Sequence, residues 1–586
     1  MNDGGPSSRA AFTFRVLRGL LVADAVAMRP SGFGARAPSS LAPEAVQREA
    51  EGASVRISGT VLDARSQGVE GILVEVSGSG KAMTMTRRTG RYTIGATNCD
   101  ARTGSWTVVP RLAGCEFTPS IVHLTHLDDG TIVNFAAVGE HCSGKVVPVD
   151  PGPRGGEPGA GGPPVRGRGR GAEQAASVAC IRGLSAPARR LCEQAFVRFQ
   201  EVESVSGAIP GEEGAGLGPT FNGNSCAMCH AQPAILGSAP GPSSPQRPMP
   251  NPQVALATLD GARNDVPPFI AVDGPIRAVR FKSDGDVHGL FSIAGRRDAL
   301  GCAQSQADLP AELASDNVSF RIPPALFGLG LVEAVSDATL QANVEASRSE
   351  SLGIHGEVNR SATTGTIGRF GWKAQNRSLL LGAAEAYAVE IGVTNELFPQ
   401  ERHADPGCTL NGSPEDARDP TRTGSLSETS TDIENFAFAI RLSAPPQPNG
   451  PEGILPESIE AGRAHFASVG CANCHTPSLT TSTSSLDAKL SRAVIHPFSD
   501  FALHRMGTEL ADGIVQEGAA GDQFRTPPLW GVGQRLFFLH DGRTSDLVAA
   551  IEAHAGDGSE ANTVIENFNH MEFQEKQEIV NFLRSL

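Results

Sequence analysis

No stretch of this sequence reaches the roughly 18 consecutive apolar residues that a membrane-spanning helix requires, so no membrane span is expected. Positive charge is in short supply as well. Lys and Arg number 49 against 64 Asp and Glu, a net charge of −15, and that sign repels phosphate. Nucleic acid is therefore not an expected partner. Cysteine is missing before Cys99, and no lipid anchor on a cleaved N-terminal cysteine is expected.

What is present is a chain of 586 residues, 40% hydrophobic and 19% charged, enough for three or four folded units at roughly 150 residues per domain. Residues 1–53 read as a leader or disordered arm. Ala11 to Ala27 is mildly apolar and ends in Ala25-Val26-Ala27, a signal-peptidase pattern, although Arg15, Arg18 and Asp24 interrupt it. From 54 to 140 short runs alternate apolar and polar residues between glycines, as in Val55-Arg56-Ile57-Ser58-Gly59-Thr60-Val61, Ile72 to Val76, Arg91 to Ile94, Ser105 to Val109 and Thr131 to Phe135. Period-two alternation at this spacing predicts an antiparallel Ig-like β-sandwich of about seven strands. His123 and His126 fall on one such strand and read as solvated strand residues. Residues 141–176, with Arg166-Gly167-Arg168-Gly169-Arg170-Gly171, are too poor in apolar residues to offset their ordering entropy and read as a linker.

The chemistry lies beyond the linker. Cys226-Ala227-Met228-Cys229-His230 and Cys471-Ala472-Asn473-Cys474-His475 both fit C-x-x-C-H, the attachment signal for c-type haem. Two thiols three residues apart can form thioethers to the two vinyl groups of one porphyrin, and the next side chain then reaches the iron as its proximal imidazole. Random draws from this composition would give on the order of 0.005 such pentads, so two are no accident. A zinc knuckle would need two further ligands and a redox pair a thioredoxin-like strand, and the sequence offers neither. The cofactors expected are two covalently bound haem c groups. Thioether attachment implies maturation after export, which also permits disulfides among the seven remaining cysteines; at least one thiol is left over, and the connectivity stays open, with Cys180 and Cys192, or Cys302 and Cys408, as candidate pairs.

Residues at helical spacing lead into each motif: Ala195, Phe199 and Val202 before the first, Ile459, Arg463 and Phe466 before the second. The chain closes on Ile579, Phe582, Leu583 and Leu586, an apolar stripe that needs a partner. The fold expected is thus an N-terminal β-sandwich followed by two mainly α, cytochrome c-like haem domains, residues 177–445 with an insertion and 446–586.

Two resemblances add to this reading. Gly59-Thr60-Val61, Thr89-Gly90-Arg91-Tyr92 and Phe117-Thr118-Pro119 resemble the carboxypeptidase regulatory-like domains, which implies a spacing or adhesive role for the sandwich. The runs Ile367 to Ala374, Glu390-Ile391-Gly392, His504-Arg505-Met506-Gly507, Phe524-Arg525-Thr526-Pro527 and Leu539-His540-Asp541-Gly542-Arg543 resemble the di-haem oxidoreductases, labelled peroxidases or thiol oxidoreductases, over about residues 180 to 586. These are similar in turn to bacterial di-haem cytochrome c peroxidases.

That resemblance implies roles. Trp372 matches the tryptophan between the haems and would relay electrons. Glu390 matches the distal glutamate that moves a proton on bound peroxide, although Ile391 replaces that group's methionine. His554 stands fourteen residues after His540, near where the peroxidases carry a methionine as second-haem ligand; it is the first candidate to oppose His475, with Met506 the second. No histidine follows His230 before His288, so an open iron position is expected there, with His288 and His355 read as ordinary loop residues. The function implied is an exported, periplasmic di-haem oxidoreductase taking hydrogen peroxide or dioxygen, with a small redox protein as electron donor or acceptor. Its alternatives are an oxygenase resembling the di-haem rubber oxygenases and a non-catalytic electron-transfer cytochrome.

Overall fold

The computed structural model describes residues 55–586 except 64–67, 70, 79–80, 88–89, 97–104, 113–114, 126–130, 139–147, 149, 151, 153–179, 244–248, 449 and 452–453. The leader or arm expected over 1–53, His126 and most of the expected linker lie outside the described residues.

Between 55 and 138 the alternation of side chains produces, among the described residues, nine short strands: β1 (Val55–Leu62), β2 (Leu73–Ser77), β3 (Lys81–Met85), β4 (Arg91–Ala96), β5 (Trp106–Arg111), β6 (Glu116–Thr118), β7 (Val122–Leu124), β8 (Thr131–Ile132) and β9 (Phe135–Val138). They form one sheet in the order β4-β1-β9-β6, with β8 beside β1, and another in the order β3-β2-β5-β7. Every second residue, among them Ile57, Val61, Val74, Val76, Trp106 and Val108, enters a single apolar core. The expected all-antiparallel pattern needs correction: β1 runs antiparallel to β4 but parallel to β8 and β9. The run expected over Thr131 to Phe135 is broken at Asn134, whose side-chain oxygen leaves the ladder to accept from the Thr60 amide at 2.9 Å and the Thr60 hydroxyl at 3.0 Å. His123 is exposed on β7, opposite Thr107.

The expected linker is pinned at one point. The Asp150 carboxylate accepts from Arg584 Nε at 2.6 Å and from the Leu547 amide at 3.1 Å, and the Arg584 side chain has no solvent exposure. Burial works against the charge on Asp150, but Arg584 and the amides of Gly152 and Leu547 outweigh it and hold the carboxyl below its ordinary range.

Of the helices among the described residues, those that frame the site are α1 (Ala186–Phe199), α2 (Leu379–Ala386), α3 (Asp432–Leu442), α4 (Pro456–Ser468), α5 (Leu547–Glu552) and α6 (Phe573–Ser585). Their ends follow capping chemistry. Ser185 accepts from the Ala188 amide ahead of α1, and Thr431 with Glu434 and Glu572 with Glu575 close capping boxes on α3 and α6. The apolar stripes find their partners as helix pairs. Phe199 of α1 meets Phe436 of α3 edge to face at 6.2 Å, and Phe466 of α4 meets Phe582 of α6 at 5.5 Å. In the second pair the backbones touch, since a Cβ on Gly462 would lie 1.8 Å from the Glu578 carbonyl oxygen.

The helical part carries more irregular chain than two mainly α domains would. Buried loops are tolerated because side chains satisfy their backbone groups. Gln253 donates to the carbonyls of Asn222 at 3.2 Å and Arg277 at 2.9 Å, and Asn359 to that of Lys373 at 2.8 Å. Both candidate disulfides are present, Cys180–Cys192 and Cys302–Cys408. Cys115 is also disulfide-bonded, and the free thiols among the described residues are Cys226, Cys229, Cys471 and Cys474.

Candidate functional site

Each Cys-x-x-Cys-His motif closes a single helical turn. The His230 amide donates to the Cys226 carbonyl at 3.0 Å and the His475 amide to that of Cys471 at 2.9 Å, so both thiols and the imidazole of one motif face the same cavity. In both motifs the imidazole is held alike. His230 Nδ1 lies 3.0 Å from the Gly237 carbonyl oxygen and His475 Nδ1 lies 2.9 Å from that of Phe498. A carbonyl only accepts, so Nδ1 carries the proton, which in a neutral imidazole makes Nε2 the acceptor, the tautomer an iron ligand requires; the Pro324 carbonyl also lies against the His230 ring. Burial pushes both imidazoles down to about 4 and raises the thiols, which keeps all of them neutral. An aromatic edge supports each ring, Phe199 at 6.4 Å from His230 and Phe466 at 6.0 Å from His475.

The first cavity is lined by Cys226, Cys229 and His230 and also by Glu390. Glu390 is placed by a backbone irregularity. After α2 the chain loosens into a π-helical turn, Tyr387–Ile391, and stops at Gly392 with φ 85°. Only glycine fits there, because a Cβ would come 2.7 Å from the Gly218 Cα and the Thr220 carbonyl oxygen. This close approach lets the loop before the first motif bind Glu390 from two directions. The amides of Asn222 and Gly223 donate to its carbonyl at 2.7 and 3.1 Å, and Asn222 Nδ2 donates to its carboxylate at 2.9 Å. Burial raises the Glu390 carboxyl above its ordinary value, and the Asn222 hydrogen bond and Arg280 only partly offset this. His230 is the cavity's only histidine among the described residues. His288 instead stacks on Phe281 at 3.8 Å and pairs with Asp284 at 2.9 Å, while His355 is solvent-exposed.

The second cavity is lined by Cys471, Cys474, His475, His554, Met506 and His540 among mostly apolar residues. His554 follows α5 and lies 2.8 Å by its Nδ1 from the Ala550 carbonyl oxygen, again making Nε2 the acceptor. It is half-buried, and its charge disfavours that of His475. Met506 packs with Trp372 and Phe524 instead. His504, which the spacing arguments overlooked, sits between Asp500 and Glu560, 2.9 Å from each, and 3.6 Å from Cys474 Sγ.

Trp372 lines both cavities. Its indole donates to the Ile322 carbonyl at 2.9 Å, and its own carbonyl accepts from the Arg525 amide at 2.8 Å. Lys373, next in sequence, pairs with Asp512 at 2.9 Å with both side chains fully buried, and Asp512 also takes Arg321 at 2.6 Å. The indole is therefore locked in the wall that the two cavities share.

The donor set fits two haems: each cavity offers two neutral thiols at the attachment spacing, one imidazole of the right tautomer and an apolar lining. Among the described residues no group of three or more His, Cys, Asp or Glu converges to hold a metal by protein ligands alone. Comparison with known proteins gives the same class. The family described as "Di-haem oxidoreductase, putative peroxidase" matches residues 280–586, so the chain belongs to the di-haem oxidoreductases. The match takes in Trp372, Glu390, the second motif and His554, and begins after the first motif. No curated protein matches the chain. Three solved structures are similar to small parts of it. They are the Bacillus anthracis TIE protein (15% identity over 15% of this chain and 16% of that one, TM-score 0.13), the 3-chlorocatechol 1,2-dioxygenase of Rhodococcus opacus 1CP (13% identity, 16% and 62%, TM-score 0.12) and a streptococcal ancillary pilin (15% identity, 15% and 32%, TM-score 0.12). At these scores they carry no argument about fold or function.

Proposed function

We propose that this chain is an exported di-haem c oxidoreductase that reduces hydrogen peroxide at the His230 cavity with electrons passed from the His475 cavity. The observation that carries this reading is the position of Trp372 in the wall of both cavities, with Glu390 in the first cavity alone. The attachment is covalent, through Cys226 and Cys229 to one haem and Cys471 and Cys474 to the other, in two cytochrome c-like domains over 177–445 and 446–586. Each haem, when bound, supplies an iron that takes up or gives one electron and, where a coordination position is open, accepts an oxygen ligand.

The protein's own part divides in three. His230 and His475 would each hold an iron through the imidazole, and His554, which lines the second cavity and keeps its Nδ1 on the Ala550 carbonyl, would be a further ligand there. Glu390, with its carboxyl raised by burial, takes a proton from one peroxide oxygen and returns it to the other, which makes the second a leaving water. Trp372, which lines both cavities, is the aromatic link between them. Reducing one peroxide to two waters takes two electrons and two protons, and a small redox protein is the donor. No helix among the described residues is long and apolar enough to cross a membrane, and the two disulfides support an oxidising, periplasmic setting. The sandwich over 54–140 is a carboxypeptidase regulatory-like spacer, joined to the first haem domain by the linker over 141–176.

Electron paramagnetic resonance of the oxidised, haem-loaded protein tests this. The expected result is one high-spin signal from the His230 site beside a low-spin bis-histidine signal, the high-spin signal disappearing on addition of peroxide. Two low-spin signals indifferent to peroxide would overturn the reading in favour of electron transfer, and a stable dioxygen adduct that turns over without a donor would replace it by an oxygenase.

A further inference from the structure

Buried arginines in this protein come with anions. Arg296 pairs with Glu212 at 2.9 Å and Asp298 at 3.1 Å, Arg321 with Asp512 at 2.6 Å, and Arg369 and Arg584 with Asp337 and Asp150. The second cavity breaks this rule twice. Arg535 is 8% exposed and its guanidinium has no hydrogen-bond or ion-pair partner among the described residues. Arg525 is 4% exposed and uses Nε on the Gly371 carbonyl at 2.7 Å and one amino group on the Thr526 carbonyl at 3.1 Å, with its other amino group unbonded.

No side chain of the cavity can neutralise them. Its one carboxylate among the described residues, Glu560, already accepts from His504 at 2.9 Å, from the His355 amide at 2.9 Å and from the Arg505 amide at 3.1 Å. Burial pushes both guanidinium groups down to about 10, and at Arg525 the like charge of Arg535 adds to this. Two buried cations left without an anion would cost several kcal/mol each. The surrounding wall is largely apolar, with Phe538, Leu547, Ile579 and Leu583 among its residues, so the cavity is built for a mostly hydrophobic ligand that carries two negative charges at one end.

We propose that Arg525 and Arg535 form a dianion-binding end of the second cavity and take the two carboxylates of the tetrapyrrole held by Cys471, Cys474 and His475. This rests on the reading of that cavity as a haem site and adds an attachment that the motif does not contain. Arg525 gives it a second consequence. Its amide and Nε bind the carbonyls of Trp372 and Gly371, so the carboxylate edge is tied through one residue to the indole between the cavities. Arg525 and Arg535 are positioning residues, and their charge also favours the reduced state of whatever they neighbour.

The test uses full-length, haem-loaded protein, with wild type, R525Q, R535Q and the charge-keeping R535K. Haem per chain is measured by pyridine haemochrome, and each haem is titrated potentiometrically while its own absorption is followed. At a fixed potential, R525Q and R535Q are each expected to lower the reduced-to-oxidised ratio of the second haem by roughly tenfold. The first haem should be unmoved, and R535K should keep most of the wild-type value. Unchanged potentials in an R535Q protein that holds both haems would overturn the proposal. So would tight succinate binding to wild type, lost in R535Q with no change in potential, because the anion would then be a separate ligand. If R535Q loads poorly, R525Q and R535K still read the same charge. Wild type carrying no haem at the second motif would instead overturn the underlying haem reading.

Discussion

The two Cys-x-x-Cys-His segments solve the proximal half of their task in the same way and the distal half in opposite ways. On the proximal side Phe199, His230 and Phe436 repeat as Phe466, His475 and Phe582, down to the Nδ1 contact with a backbone carbonyl at 3.0 and 2.9 Å. On the distal side the first cavity presents Glu390, Glu385, Arg280 and Gln375, whereas the second presents His554 and Met506 among mostly apolar residues. A carboxylate above an open iron position handles protons; a second imidazole closes the position and leaves only electron exchange. Under the proposed function the first cavity would serve the chemistry and the second would store an electron, with Trp372, which lines both, between them.

Deleting one attachment at a time breaks this division most completely. Cys226→Ala with Cys229→Ala is expected to cut covalent haem from about two per chain to about one and to abolish peroxide consumption. Cys471→Ala with Cys474→Ala should cut haem equally while sparing the high-spin signal and its response to peroxide. Haem stoichiometry and spin-state spectra of both variants check this, and identical losses in the two would mean that the sites are not specialised. A smaller effect sharpens the distal contrast. Glu390→Gln keeps the Asn222 contact but removes the base, and peroxide reduction should fall by about 10² to 10⁴ with both haems retained. The sign of the pH effect follows from the raised carboxyl. Below its pKa Glu390 is protonated and cannot accept a proton, so wild-type activity should fall with falling pH through a midpoint above the ordinary glutamate range. In Glu390→Gln that acid limb should be absent from the pH–rate profile.

The proximal half was largely legible in the sequence because it is local: a pentad closes one turn, and stripes at i, i+4 and i, i+7 announce the helices that cross over it. The distal half depends on tertiary contacts. Glu390 and Trp372 emerged by resemblance alone, for nothing in their neighbourhoods reveals the π-helical turn that aims one or the shared wall that holds the other. Periodicity gives no sign that Arg525 and Arg535 are buried, since a lone charged residue reads as part of an exposed face. The sandwich was legible in its longer strands but not in its parallel pairing, because alternation reports which face a residue lies on and says nothing of strand direction.

The smallest expected effect tests whether the two proximal halves are equivalent. Four residues before Phe199 stands Ala195, and four before Phe466 stands Gly462, so the same helix face carries a methyl group in one segment and none in the other. The second crossing needs that absence. An added Cβ would sit 1.8 Å from the Glu578 carbonyl oxygen, which is backbone and cannot swing aside, so α4 and α6 must separate. Gly462→Ala should therefore destabilise the second segment by about 1–3 kcal/mol despite the better helix propensity of alanine. Ala195 is fully buried, and Ala195→Gly should cost only about 1 kcal/mol, chiefly from lost helix propensity. Urea titrations that follow the Soret absorption of each haem separate the two effects, with Gly462→Ala moving only the second haem and Ala195→Gly only the first. Were Gly462→Ala neutral, the backbone contact between α4 and α6 would not be what seats Phe466 against His475, and the likeness of the two proximal sides would rest on the aromatic residues alone.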